Sequence, residues 1–337
     1  MVSLTNSSPR SLPSIRLTSW RCSPTPSERH GSRRRRLALW QALAAWRARE
    51  RSGRRSCLVT SIGDAWRLAR QRIDRLDARL LIEYVTGCSH ADLIAHPTRR
   101  LSELQVRRLD ALVRRRASGE PLAYLLGSAG FYGREFKVTG DVLVPRPETE
   151  LLVELAIERL RHVADPVVAD LGTGSGVLAV TLKCLCPQAR VVAVDLSPAA
   201  LAVARLNASL HAATVRFVEG DWYGPLTGER FDLIVANPPY VAAADPHLER
   251  GGLPFEPRLA LTDGVPGGDG LDCMRVIVGG AVAHLLPGGW LLIEHGHEHA
   301  VAVRHLLHRA GLNEVATWPD LSGSERASGA CLAGGRD

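Results

Sequence analysis

Lysine is almost missing from this chain of 337 residues, in which Lys137 and Lys183 are the only two among 42 basic side chains. Methionine is equally scarce, represented by Met1 and Met274 alone. The bias toward Arg points to a GC-rich genome. No apolar run approaches the roughly 18 residues that a membrane-spanning helix needs, so no association with a membrane is expected. The seven cysteines (Cys22, Cys57, Cys88, Cys184, Cys186, Cys273 and Cys331) are odd in number, scattered and without a CxxC pair. That argues against a zinc or disulfide framework and for reduced thiols in a cytoplasmic protein. Cys184 and Cys186 form a lone CxC in a predicted helix, where packing is the expected role. There is no GxxxxGK[ST] phosphate loop. The histidine-rich run Glu294 to His299 is not an HExxH pair, because Val301 stands where the second His would fall, and no metal is expected.

The formal net charge of +7 is unevenly spread. Residues 1–58 hold thirteen Arg, no Lys and two acids (Glu28 and Glu50), a balance of +11, which leaves 29 basic and 33 acidic residues, or −4, for the rest. A mildly acidic body argues against a general nucleic-acid binder, and stable nucleic-acid binding is not expected. The first 58 residues, with the block Arg33-Arg34-Arg35-Arg36, read as a basic, disordered extension. A start at Val59 on a GTG codon explains them more simply than an organelle transit peptide does.

From Ser61 onward apolar residues recur at helical spacing. Ile62, Trp66, Leu68 and Ile73 mark a first helix. A second runs from an expected N-cap at Asp77 to a stop at Gly87, and a third has a capping box of Ser102 and Gln105 and ends at Gly119. Residues 59–128 thus read as a small helical domain for substrate recognition. Arg107, Arg108, Arg114, Arg115 and Arg116 on its last helix form either a solvated face or a contact for an acidic partner. Residues 129–337 read as a hairpin linker, with its turn expected at Thr139-Gly140, followed by a catalytic domain. There, apolar strands ending at Gly172, Asp195, Asp221, Asn237 and Gly296 alternate with helices. That alternation specifies an α/β fold with a doubly wound, mostly parallel sheet, which places ligands at the carboxyl ends of the strands.

Every chemically suggestive stretch falls at such an end. Asp170-Leu171-Gly172-Thr173-Gly174-Ser175-Gly176 follows the first of these strands. Its alternate glycines allow close backbone approach to a ligand, but Val177 occupies the third-glycine position of a dinucleotide fingerprint. Asp195, with Leu196 beside it, ends the second strand, placed to accept two ribose hydroxyls. Asp221 and Trp222 supply a carboxylate and a flat ring suited to adenine. Next comes Asn237-Pro238-Pro239-Tyr240. Prolines cannot extend a sheet ladder, so this is a stiff loop. The Asn237 side-chain oxygen and the Pro238 carbonyl can accept both N–H bonds of a planar NH2 group and aim its lone pair, and Tyr240 can stack on the same group. An adenine and a glutamine amide fit that description equally.

The order DLGTGSG, VD, GDW, NPPY resembles the class I S-adenosylmethionine-dependent methyltransferases. The resemblance implies S-adenosylmethionine as cofactor, held by Asp170, Gly172, Thr173, Gly174, Ser175, Gly176, Asp195, Leu196, Asp221, Trp222 and Asn237, with Asn237, Pro238 and Tyr240 catalytic. The segment GEPLAYLLGSAGFYGREFKVTGDVLVPRPETELLVE (119–154), with FEPRLAL, GGDGLD and IEHG downstream, resembles the bacterial release-factor glutamine methyltransferases (the HemK/PrmC family). This implies a Rossmann-like sheet of seven strands. It also implies methylation of N5 of the glutamine in the Gly-Gly-Gln motif of class 1 peptide-chain release factors, by a monomer. Arg146, Glu148 and Glu150 would wall a substrate site completed by Asn237, Pro238, Pro239 and Tyr240. Methylation of a ribosomal-protein glutamine, or of N6 of adenine, are the alternatives. The chain departs from the family's pattern at His297-Glu298-His299 and in the extended run Asp263 to Gly268.

Overall fold

Alternation of small and branched apolar residues decides how the central sheet is covered. In the computed structural model, which describes residues 61–334, seven strands lie in the order β5-β4-β3-β6-β7-β9-β8. They are β3 (Val167–Leu171), β4 (Arg190–Asp195), β5 (Val215–Glu219), β6 (Phe231–Ala236), β7 (Leu285–Glu294), β8 (Asn313–Pro319) and β9 (Glu325–Cys331). The first five are parallel, while β9 pairs antiparallel with both β7 and β8. Successive side chains of a strand point to opposite faces. Thus Val168, Leu233, Val235 and Leu292 pack with helices α6 (Glu150–Leu160) and α7 (Val177–Leu185). Ala169, Leu171, Ile234, Ala236 and Ile293 face α9 (Asp272–His284) and α10 (Ala300–Arg309) on the other side. Helix α8 (Pro198–Leu210) covers β4 and β5. No described helix is long and apolar enough to cross a membrane.

A separate apolar cluster, from Ile62 to Leu125, holds together α1 (Ile62–Ala69), α2 (Arg75–Thr86), α3 (His90–Ala95), α4 (Glu103–Ala117) and α5 (Leu122–Leu126). The capping box of Ser102 and Gln105 forms as expected, and Gly87 ends α2 in the left-handed conformation. Two details differ from the sequence expectation, and a third narrows it. Asp74, not Asp77, caps α2, because Asp77 is drawn into an ion pair with Arg116 at 2.6 Å. Leu68 is exposed, and Ala65 and Ala69 carry the buried face of α1 with the expected Ile62. The arginines of α4 do not form a free basic face. Arg107 pairs with Glu103, Arg114 with Asp110, Arg115 with Glu120 and Arg116 with Asp77, while Arg108 lies over the Tyr84 ring.

The linker does contain a hairpin, formed by β1 (Ser128–Phe131) and β2 (Arg134–Lys137). Its turn is Tyr132-Gly133, with φ of 47° and 70°, not Thr139-Gly140. A two-residue turn that matches strand twist needs positive φ at both positions, and Thr139 with Asp141 forms a local side-chain turn instead. Residues 1–58, including the expected extension and its Arg block, lie outside the described residues.

One buried amide ties the hairpin to the functional edge of the sheet. Asn207 on α8, fully buried, accepts from the Lys137 N–H at 2.7 Å and donates to the carbonyls of Lys137 and Ser175 at 2.9 and 2.8 Å. Asn207→Ala strands the buried Ser175 carbonyl and the half-buried N–H and carbonyl of Lys137, which should cost about 2 kcal/mol of stability. Urea denaturation checks this, and an unchanged midpoint would contradict it.

Candidate active site

The site begins where β3 ends. The N–H groups of Gly172 and Thr173 both donate to the Val194 carbonyl of β4 at 2.9 Å, folding the glycine loop back over the neighbouring strand. Asp170, wholly buried, braces the loop from behind, accepting from the Thr173 hydroxyl at 2.6 Å and the Ala179 N–H at 3.2 Å. Gly172, Gly174 and Gly176 have φ of 75°, 54° and 83°, a region side chains rarely enter. Two of them also make room. A Cβ on Gly172 would come 3.3 Å from the Trp222 ring, and one on Gly176 would come 3.1 Å from Ala204.

Asp195, at the end of β4, fixes the loop from the front. One carboxylate oxygen accepts from Gly174 N–H at 2.8 Å and the other from Ser197 N–H at 2.9 Å. Burial pushes its carboxyl up, opposed by these backbone hydrogen bonds. A carboxylate offers about four acceptor positions, so two remain for a ligand. A cavity of about 340 Å³ opens here, between Gly172, Asp195, Asp221, Trp222 and Asn237. Trp222 holds a positive φ of 43°, a backbone strain of the kind that gathers at ligand sites.

The far wall comes from the linker and from residues 241–263, which run back across the strand ends. Asn237, just past β6, lines the cavity and donates from Nδ2 to Thr149 Oγ1 at 3.1 Å. Arg146 also lines it, held by an ion pair at 2.6 Å to Glu256, whose other oxygen accepts from the Val144 N–H at 3.0 Å. Glu256 is 5% exposed; its buried charge is compensated by these partners. Behind Asn237 lies Glu294, 2% exposed, at the end of β7. Burial pushes its carboxyl up to about 7, helped by the charge of Glu148 and opposed by Thr149, Arg326 and Tyr240. Burial likewise raises the Tyr240 phenol far above its usual range.

Of the residues expected at the site, Gly172, Thr173, Gly174, Ser175, Asp195, Leu196, Asp221, Trp222, Asn237, Pro239 and Arg146 border the cavity. Asp170 and Gly176 stand behind the loop. Pro238 is buried beneath the turn, and Tyr240 and Glu148 sit beside Glu294. Glu150 does not wall the site, because its carboxylate accepts the Tyr132 N–H of the hairpin turn at 2.7 Å. Sequence reasoning gave no role to Thr149, Glu256, Thr262, Cys273 or Glu294. The motifs PRPETE, FEPRLAL and IEHG contain three of them, yet no spacing rule connects residues more than a hundred positions apart. His297–His299 forms a short turn before α10 rather than continuing β7, and among the described residues no three metal-ligating side chains converge.

The PrmC N-terminal domain family matches residues 66–127 and the methyltransferase small domain family matches residues 148–249. The release factor glutamine methyltransferase of Xylella fastidiosa (strain Temecula1) is 50% identical over 261 residues, covering 77% of this chain and 94% of that protein. That of Bordetella pertussis is 52% identical over 266 residues, covering 79% and 97%. The chain belongs to the release factor glutamine methyltransferase family. Its cofactor is S-adenosylmethionine, and the site has the features that molecule needs. Asp195 keeps acceptor capacity beyond its two backbone partners, and the Trp222 ring stands close against Gly172, where a Cβ would come 3.3 Å from it.

Asp170 gives this family member a distinct pH signature. Burial raises its carboxyl from 3.8 to about 7, against hydrogen bonds from Thr173 and Ala179. The folded state therefore keeps a proton that the unfolded chain releases, so stability from this group falls as pH rises from about 4 to about 7. Asp170→Asn should raise the melting temperature relative to wild type more at pH 8 than at pH 5. Equal differences at both pH values would contradict the assignment.

Proposed function

We propose that this protein transfers the methyl group of S-adenosylmethionine to N5 of the glutamine in the Gly-Gly-Gln motif of class 1 peptide-chain release factors, as a cytoplasmic monomer. The observation that carries the reading is the state of Asn237. Its NH2 donates to Thr149, which leaves Oδ1 as an acceptor for the cavity that Asn237 lines; the Pro238 carbonyl would be the second. Two acceptors on a proline-stiffened turn hold a planar NH2 group and point its lone pair at the cofactor pocket. S-adenosylmethionine supplies a methyl already activated on a sulfonium. What remains for the protein is positioning, and the nitrogen sheds its proton once it has become cationic. Asp195, Asp221, Trp222 and the loop Gly172 to Gly176 would hold the cofactor. Asn237, Pro238, Pro239 and Tyr240, with Arg146 and Glu148, would receive the glutamine.

The domain assignment follows the same reading. Residues 59–128 would recognise the release factor, a role supported by their own apolar core and by their match to the PrmC N-terminal domain family. Residues 129–337 would supply linker and catalysis. Glutamine is favoured over adenine because the relatives that cover most of the chain act on release factor glutamine by name.

Asn237→Ala should abolish turnover while leaving cofactor binding measurable by calorimetry. Labelled S-adenosylmethionine supplied with release factor, ribosomal protein and DNA in parallel should label the release factor. Label on DNA alone, or full turnover by Asn237→Ala, would overturn the assignment.

A further inference from the structure

A primary amide is nearly symmetric in shape, so an asparagine can present either its oxygen or its NH2 to a ligand unless its surroundings discriminate. For Asn237 the choice is decisive, because an NH2 turned toward a substrate NH2 opposes donor to donor. The only side-chain hydrogen bond Asn237 makes among the described residues is to the Thr149 hydroxyl, and a hydroxyl can donate or accept. It accepts from Asn237 only if its own proton is committed elsewhere.

We propose that Glu294 and Thr149 form a positioning relay that fixes the Asn237 amide with Oδ1, not Nδ2, toward the substrate nitrogen. This rests on the glutamine-methylation reading of the site. An ionised carboxylate only accepts. The Thr149 hydroxyl is one of the groups that favour the charged form of Glu294, and Tyr240 is another. With its proton directed to Glu294, Thr149 is left as an acceptor, and Asn237 must turn its NH2 inward. Polarity therefore passes from a buried charge to the acceptor that meets the substrate. The fold places the three together. Ala236 of β6 is in register with Ile293 of β7, so Asn237 and Glu294 follow at the same level, and Thr149 caps the gap from the turn ahead of α6. Thr149 and Glu294 are each 2% exposed, so both are shielded from bulk water. Oε2 of Glu294 is buried without a hydrogen-bond partner, an open acceptor position that the Thr149 proton would fill.

The relay also carries a pH dependence. Glu148 on the same turn as Thr149 opposes the charge on Glu294, Arg326 of β9 favours it, and Tyr240 faces it from the loop after β6. Arg146 acts on Tyr240, and the His299 ring meets Tyr240 edge-on at 6.4 Å. With its carboxyl at about 7, Glu294 is protonated on the acid side. It can then donate to Thr149, whose proton is free to turn toward Asn237 and reverse the polarity.

The chain has four asparagines, Asn6, Asn207, Asn237 and Asn313, so asparagine-selective nitrogen-15 labelling isolates the Asn237 side-chain amide by NMR. The wild-type Asn237 resonance should titrate near neutral pH. It should move in Thr149→Val, remain in place in Thr149→Ser, and lose its titration in Glu294→Gln. In turnover on release factor, Thr149→Val should lower kcat roughly ten- to a hundredfold with KM within about twofold, and Thr149→Ser should restore it. Wild-type kcat should rise between about pH 6 and pH 8 and be flat in Glu294→Gln. Full kcat in Thr149→Val, or an Asn237 resonance indifferent to both Thr149→Val and pH, would overturn the relay. Should Thr149→Val not fold, the wild-type titration and its loss in Glu294→Gln decide alone. Expected resonances with no methylation of release factor would instead sink the glutamine reading and leave the relay standing.

Discussion

The site exists because β3 and β6 run parallel and in register. Val168 to Leu171 pair one-to-one with Leu233 to Ala236, so the glycine loop after Leu171 and the proline loop after Ala236 leave the sheet at one level. The chain adds β4 and β5 on one side of β3, then returns to add β6 and β7 on the other. Loops that diverge in this way open a crevice between them, and ligands of such sheets bind there. A one-residue slip in this register would reverse every buried side chain of β6, and all six of its residues are buried. Packing thus enforces the alignment that the chemistry requires.

Around that crevice, labour is divided by charge and by stiffness. On the β4 side, Asp195 anchors the glycine loop by its backbone and still keeps acceptor capacity for a ligand. On the β6 side a proline-stiffened loop carries the Asn237 amide, held by the Thr149 hydroxyl. Glu256 ties the linker to the 241–263 segment by binding the Arg146 guanidinium and the Val144 N–H together. The linker that bears Thr149 is thereby held against the residues that close the cavity.

Sequence periodicity made the parallel strands and their helices legible because each buried strand is a continuous apolar run and each motif sits at a strand end. The antiparallel pair β8 and β9 was harder. Asn313–Pro319 is mostly half-exposed and Glu325–Cys331 is rich in small residues, so neither alternates clearly. Local signals failed where a distant partner won. Asp77 looks like a cap but answers to Arg116, thirty-nine residues away, and Glu150 looks like a site residue but holds a hairpin turn. The arginines of α4 read as either a solvated face or a contact for an acidic partner, and their exposed ion pairs within the domain fit the first. Thr149 and Glu294 were invisible for the same reason: their meaning lies in one another and in Asn237.

The most direct test is a crystal structure with S-adenosylhomocysteine and a release-factor peptide bearing the glutamine. The positioning mechanism predicts the glutamine side-chain nitrogen between Asn237 Oδ1 and the Pro238 carbonyl, facing the sulfur, with the ribose on Asp195 and the adenine against Trp222. A glutamine held elsewhere, or an Asn237 that turns its NH2 to the substrate, would contradict it.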